Sequence, residues 1–284
     1  MNRLSVGERA KILGCMVEGN SVRATSRLTG ADKKTVLRLL AEFGSACQKF
    51  HDVTVRGVKS HRVQCDEIWS FVYAKARNVP ERCRGVFGFG DVWTWTALCA
   101  DSKLILAYRV DRRDEEAAYA FMQDLRGRLE NRVQLTTDGY GPYMAAVEDN
   151  FGGDVDYAML VKLYGEPKGN TPERKYSPGE CCGTRKRRIT GQPVRKDIST
   201  SYVERMNLNI RMGSRRFTRL TNAFSKKVEN HAHAMAVYFA YYNFCRIHQT
   251  LRVTPAMQAG ISDHVWSLEE LAALAEPAKL AEVA

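Results

Sequence analysis

The chain has 284 residues, of which 44% are hydrophobic, 10% aromatic and 26% charged, a balance that excludes a disordered, collagenous or coiled-coil protein. Lys and Arg outnumber Asp and Glu by 43 to 32, a net charge of +11 that points to a polyanionic partner. The longest apolar run, Ala234 to Tyr242, is well short of the ~18 residues a membrane span needs, so a cytoplasmic protein without a membrane partner is expected. Eight cysteines without C-x-x-C spacing are expected to be reduced thiols, and the adjacent pair Cys181 and Cys182 cannot chelate a tetrahedral metal by itself.

The charge is unevenly distributed: net +5 over residues 1–50, −3 over 51–161, +12 over 162–227 and −3 over 228–284. In the first basic segment three short helices are predicted. Ala10, Leu13, Met16 and Val17 share a stripe, Asn20 and Ser21 offer a cap for a second helix to about Thr29, and Gly30 makes a turn. Asp32 caps a third helix in which Val36, Leu39, Leu40 and Phe43 face inward while Lys33, Lys34, Thr35 and Arg38 face away. A helix, a glycine turn and a basic helix are the parts of a helix-turn-helix, and those four outward residues are candidate contacts to double-stranded DNA. Residues 1–50 are thus expected to form a small all-α domain, followed by a linker over 51–61 whose irregular character begins near Ala46.

From Arg62 the pattern becomes β-branched and aromatic. Strands are predicted at Val63–Tyr73, Val92–Ala100 and Leu104–Val110, then a helix at about Asp114–Glu130 with Ala117, Phe121 and Leu125 inward. A short strand Val133–Thr137, a helix from Gly141–Pro142 to about Asn150 and a strand Val155–Leu163 follow. That order fits an α/β domain over 62–227 built on a ribonuclease-H-like mixed sheet with flanking helices. Residues 165–199 hold four of the eight prolines and the run Arg185-Lys186-Arg187-Arg188 without helix or strand period, and are expected to be an insertion loop. A helix then starts near Thr200, a basic stretch runs from Arg211 to Arg219, and 228–284 is a helical segment packing on the core: an all-round apolar helix Val228–Ile247 and a short one from Ser267 to Leu274. His231 and His233, two residues apart, are expected to be capping or core residues rather than metal ligands.

Three carboxylates stand out by position. Asp66 interrupts an apolar strand, where burying a carboxylate is costly unless a cation or donor meets it. Asp138 closes a strand just before Gly139, and Glu204 projects from a helix in the most basic region. If they converge, they suit two Mg²⁺ ions, with Mn²⁺ able to substitute: hard cations take oxygen ligands, and three carboxylates hold two ions only if one bridges, a role suited to Asp66 on its central strand. Taken singly, each has a plain structural use: a buried hydrogen-bonded acid, a turn residue, half of a surface ion pair.

The run Cys65-Asp66-Glu67-Ile68-Trp69-Ser70, then Thr136-Thr137-Asp138-Gly139, then Ser201-Tyr202-Val203-Glu204-Arg205, resembles the DDE transposases of bacterial insertion sequences, in particular the IS-one-like group. The likeness extends through Arg216 to Asn222, Tyr242-Asn243 and Arg246-Ile247-His248, covering most of the chain. It implies a ribonuclease-H-like catalytic domain, an N-terminal domain binding terminal inverted repeats, and metal-dependent DNA strand cleavage and transfer by a dimer or larger synaptic complex. By position it implies that Asp66, Asp138 and Glu204 are the catalytic, metal-binding triad and that Arg211 contacts a DNA phosphate; Arg215 and Arg216, in the same basic stretch, are further candidate DNA contacts. Two alternatives stay open: a DNA-binding regulator with an inactive core, and a nuclease on the same fold.

Overall fold

The structure, a computed structural model, describes residues 4–165, 181–218 and 222–276. Helix α1 (Val6–Val17) opens on a capping box in which Ser5 and Glu8 satisfy each other's backbone N–H groups. Helix α2 (Val22–Thr29) is capped by Ser21 and ends where Gly30 takes a left-handed φ of 73°. Helix α3 begins after Asp32 and runs from Lys33 to Thr54, so the expected boundary at residue 50 and the irregular stretch from Ala46 both fall inside it. The reason is that Ala46, Cys47 and Phe50 continue the apolar period of Phe43 and are buried. Only residues 55–61 are left to connect α3 to the sheet.

The sheet has six strands in the order β3-β2-β1-β4-β5-β6. Strands β1 (Arg62–Val72), β2 (Gly90–Cys99) and β3 (Ile105–Asp111) form an antiparallel meander. After α4 (Glu115–Arg128) the chain returns as β4 (Val133–Thr137) beside β1 and parallel to it. Helix α5 (Tyr143–Phe151) then leads to β5 (Val155–Tyr164), parallel to β4. The result is an α/β fold with a mixed sheet flanked by helices, compatible with the ribonuclease-H-like architecture expected.

The expected loop 165–199 is not irregular throughout. Cys181–Thr190 forms β6, antiparallel to β5, while residues 166–180 lie outside those described. No alternation announces this strand because nearly every side chain in it is exposed; it is recruited by backbone pairing with the edge of β5 rather than by burial. The chain after it is tied back to β4 by Gln134, which exchanges two hydrogen bonds with the backbone of Val194 (2.8 and 3.2 Å).

Helix α6 (Ser201–Gly213) packs Val203, Met206 and Ile210 on one face of the sheet against Ile68 and Leu98, while α4 and α5 cover the other with Phe121, Leu125 and Tyr143 around Trp95. Helix α7 (Val228–Ala240) ends earlier than expected and passes into one π turn, Tyr241–Cys245. That turn places Asn243, fully buried, against edge strand β3, where its side chain exchanges two 3.0 Å hydrogen bonds with the Ile105 backbone. Helices α8 (Pro255–Gln258) and α9 (Leu268–Ala273) are the last elements among the described residues. One continuous core runs from Ala10 and Leu13 of α1 through the sheet to Leu271 and Leu274, so the N-terminal helices share it with the sheet. Among the described residues no helix is long and apolar enough to cross a membrane.

Candidate metal centre

Strand pairing brings the first two acids together. In the parallel pair β1–β4, Gln64 is the partner of Thr136, and two residues further along each strand stand Asp66 and Asp138. Strand side chains alternate, so residues 64 and 66 share a face, the one covered by α6. There Asn207 of α6 donates from Nδ2 to Asp66 Oδ2 at 2.8 Å, and the Glu67 amide donates to Asp66 Oδ1 at 2.9 Å. Asp138, just past the end of β4, accepts the Tyr140 amide on Oδ1 at 2.9 Å, a local turn that fixes its carboxylate at the strand tip.

The third member of the cluster is Glu67. One carboxylate oxygen from each of Asp66, Glu67 and Asp138 lies within 4.8 Å of the others, close enough to hold a metal ion. Glu67 points to the opposite face of β1 from Asp66 and its side chain is 1% exposed. Its Oε2 accepts from Arg113 Nε at 3.0 Å, whereas buried Oε1 receives no hydrogen bond of ordinary geometry. Arg113 also reaches Asp138 Oδ2 at 3.6 Å, and its guanidinium lies 3.8 Å from the ring centre of Tyr140 and 4.9 Å from that of Trp93. Glu67 is not among the three carboxylates that position singles out in the sequence; its signal there is that it adjoins Asp66, making two successive acids in one apolar strand.

Glu204 stands near this cluster without joining it. Its Oε2 is 2.6 Å from Lys162 Nζ of β5, and its Oε1 accepts from the Thr200 hydroxyl. Its charge still acts on both aspartates, as does that of Lys162. Burial first, and the neighbouring Asp138 second, push the Asp66 carboxyl up to about 7; the same two causes bring Glu67 to about 7. Asp138 is also raised, mainly by burial. Clustered carboxylates lifted in this way carry negative charge that one arginine and one lysine do not balance, and beside Arg113 the neighbour that Glu67 finds is the buried Tyr143 hydroxyl, whose hydrogen bond works against the rise in its pKa. Hard oxygen donors so placed fit Mg²⁺ or Mn²⁺.

The candidate DNA contacts divide. Lys33, Lys34 and Arg38 are exposed on the first turns of α3 and Thr35 is half-buried; Arg38 also pairs with Glu42 at 2.9 Å. Arg211 and Arg215 are exposed. Arg216 is different: it turns inward and donates to Ser225 Oγ at 2.8 Å, and burial lowers its pKa to about 10. It belongs to a hydrogen-bonded chain in which Ser225 Oγ lies 3.0 Å from His231 Nδ1, His231 Nε2 lies 3.2 Å from Ser70 Oγ, and Ser70 donates to the Val92 carbonyl (3.2 Å); with Arg216 donating to Ser225 and Ser70 to Val92, the chain is satisfied when His231 carries its proton on Nε2. Arg216, half-buried, is thus engaged inside the fold through Ser225, and His231 is the core histidine that was expected. Compared with known proteins, the chain matches no family model and no curated protein.

Proposed function

We propose that this chain is a DDE-type DNA transposase that binds the terminal inverted repeats of an insertion sequence and carries out metal-dependent strand cleavage and strand transfer on double-stranded DNA. The observation that carries the reading is the side-by-side placement of Asp66, within β1, and Asp138, just past the end of the parallel strand β4, both with carboxyl pKa values raised chiefly by burial. Asp66 and Asp138 would hold the metal, Asp66 bridging if two ions bind, with Glu204 and Glu67 as neighbouring carboxylates. Bound Mg²⁺ or Mn²⁺ supplies activation of the attacking oxygen and charge stabilisation of the leaving one.

The chain's own groups do the rest. Asn207 and the Glu67 amide orient Asp66, Tyr140 orients Asp138, and Arg113 neutralises Glu67 while its stacking on Tyr140 restricts where it can sit. Lys162 holds Glu204 beside the cluster, and exposed Lys33, Lys34, Arg38, Arg211 and Arg215 offer phosphate contacts in a dimer or larger assembly on DNA.

The test is cleavage of a duplex carrying the repeats that flank the reading frame, with Mg²⁺. Asp66→Ala and Asp138→Ala are expected to lower the rate by about 10³-fold, the several kcal/mol that metal-assisted charge stabilisation provides; unchanged rates would sink the assignment. Joining of a pre-cut 3′-OH end separates a transposase from a nuclease. The Lys162–Glu204 pair favours one second reading, a DNA-binding regulator whose core does not cut, and that reading requires repeat-specific binding with no cleavage under any divalent ion.

A further inference from the structure

Strand β6 carries four consecutive cations, Arg185, Lys186, Arg187 and Arg188, all exposed. Strand pairing locates them relative to the carboxylates. Thr136 of β4 pairs with Ala158 of β5, so Asp138 follows in register with Leu160, and Leu160 pairs with Lys186. Asp66, Asp138, Leu160 and Lys186 therefore lie in one row across four neighbouring strands. At about 4.8 Å per strand, Lys186 stands about 14 Å from Asp66, less than the width of a duplex.

Alternation splits the four. Lys186 and Arg188 lie on the face of Asp66 and Asp138, Arg185 and Arg187 on the other, so the strand is cationic all round. Lys186 Nζ donates to the Arg195 carbonyl (3.0 Å) and Arg188 to the Gly191 carbonyl (3.3 Å), contacts that direct the side chains without forming an ion pair, although the Arg188 charge also acts on Asp156. Among the described residues none of the four forms an ion pair with a carboxylate, and Arg195 and Lys196 next to them are exposed as well. Charges on an edge strand discourage edge-to-edge pairing, but a few of either sign suffice for that. Four of one sign in succession repel each other, a cost without return inside the fold.

Resting on the transposase reading, we propose that β6 is a phosphate-binding track that holds the backbone of duplex DNA alongside the carboxylate centre, a contact surface separate from α3 and the Arg211–Arg215 region. Same-face cations on a strand recur about every 6.8 Å, about twice the 3.4 Å axial rise per phosphate on one DNA strand.

The experiment measures binding of the full chain to a fluorescent duplex of arbitrary sequence, in EDTA, between 50 and 200 mM salt. Lys186→Gln/Arg188→Gln and the quadruple glutamine variant are compared with Arg82→Gln/Arg84→Gln, which removes the same charge as the double variant from exposed positions between β1 and β2. At about 0.9 per lost phosphate contact, the double variant is expected to flatten the log-log salt slope by about 1.8 and the quadruple by about 3.6. Affinity near 150 mM salt is expected to fall about tenfold and about a hundredfold respectively, with Lys186→Arg/Arg188→Lys retaining binding and the Arg82/Arg84 variant within about twofold of wild type. Circular dichroism and melting check that the variants fold; the double variant alters exposed side chains only. A β6 variant that binds like the Arg82/Arg84 control overturns the track and leaves the transposase reading standing. A wild-type chain that binds no duplex overturns both.

Discussion

A carboxylate placed where burial and a second carboxylate both oppose its charge destabilises the chain that carries it. Asp66 binds its proton more tightly folded than unfolded, so in the metal-free protein it costs most above pH 7 and nothing below its ordinary value near 4. Asp66→Asn is accordingly expected to raise the melting temperature at pH 8 in EDTA, by about 1–3 kcal/mol of stability, with the gain vanishing at pH 4. Added Mn²⁺ should raise the melting temperature of wild type and not of Asp66→Asn. His231 has the opposite sign. Burial and nearby Arg216 hold it neutral, its pKa lowered to about 3, so its contribution is complete above pH 6.5 and is lost as pH falls toward 3, at about 1.4 kcal/mol per unit. The deficit of His231→Gln relative to wild type, read from chemical unfolding, is expected to shrink as pH is lowered from 7 to 4. A constant deficit would contradict the hydrogen-bonded chain from Arg216 to Val92.

Elements end where their apolar period ends, and α3 is the clearest instance. Phe50 meets Phe244 and Trp266 with ring centres 4.9 Å away in each case, so the helix continues to Thr54 because there is a surface for it to cover. Limited proteolysis is expected to spare residues 46–54, which a linker would not survive. The same packing explains Gly44: a Cβ there would lie 2.3 Å from Cβ of His233, because α3 and α7 touch at that point. Gly44→Ala is expected to cost about 1–3 kcal/mol by forcing the helices apart, measured by denaturant unfolding. At β3 the exposed edge is closed by Asn243 and His51 rather than by another strand, and Asn243→Ala should cost about 1–3 kcal/mol by leaving the Ile105 amide without a partner, its carbonyl keeping His51 Nε2 at 3.2 Å. The period that betrays α4, β1 and β5 is absent from β6, whose pairing is a backbone event that its side chains do not record.

For the whole molecule, the shared core makes the N-terminal helices a structural part of the fold. Leu39, Leu40, Phe43, Cys47 and Phe50 are buried in the same core as the sheet and α7. A chain starting at residue 62 is therefore expected to be insoluble or to bind hydrophobic dyes strongly, whereas an independent DNA-binding domain could be removed without that penalty. The sequence by itself determined the strand and helix order through α5 and β5, the choice of Asp66 and Asp138 as acids with a reason to be there, the core role of His231, and the basic flanks of an acidic middle. These depend on local period and on the identity of single residues. Tertiary structure alone decided that Glu67 completes the close cluster while Glu204 is held by Lys162, that Arg216 turns inward, that α3 joins the core through Phe50, and that Arg185 to Arg188 extend the sheet in the same row as the carboxylates. Each depends on which segments lie side by side: cross-strand register and helix docking join residues far apart in sequence, and no local pattern of hydrophobicity or charge encodes that distance.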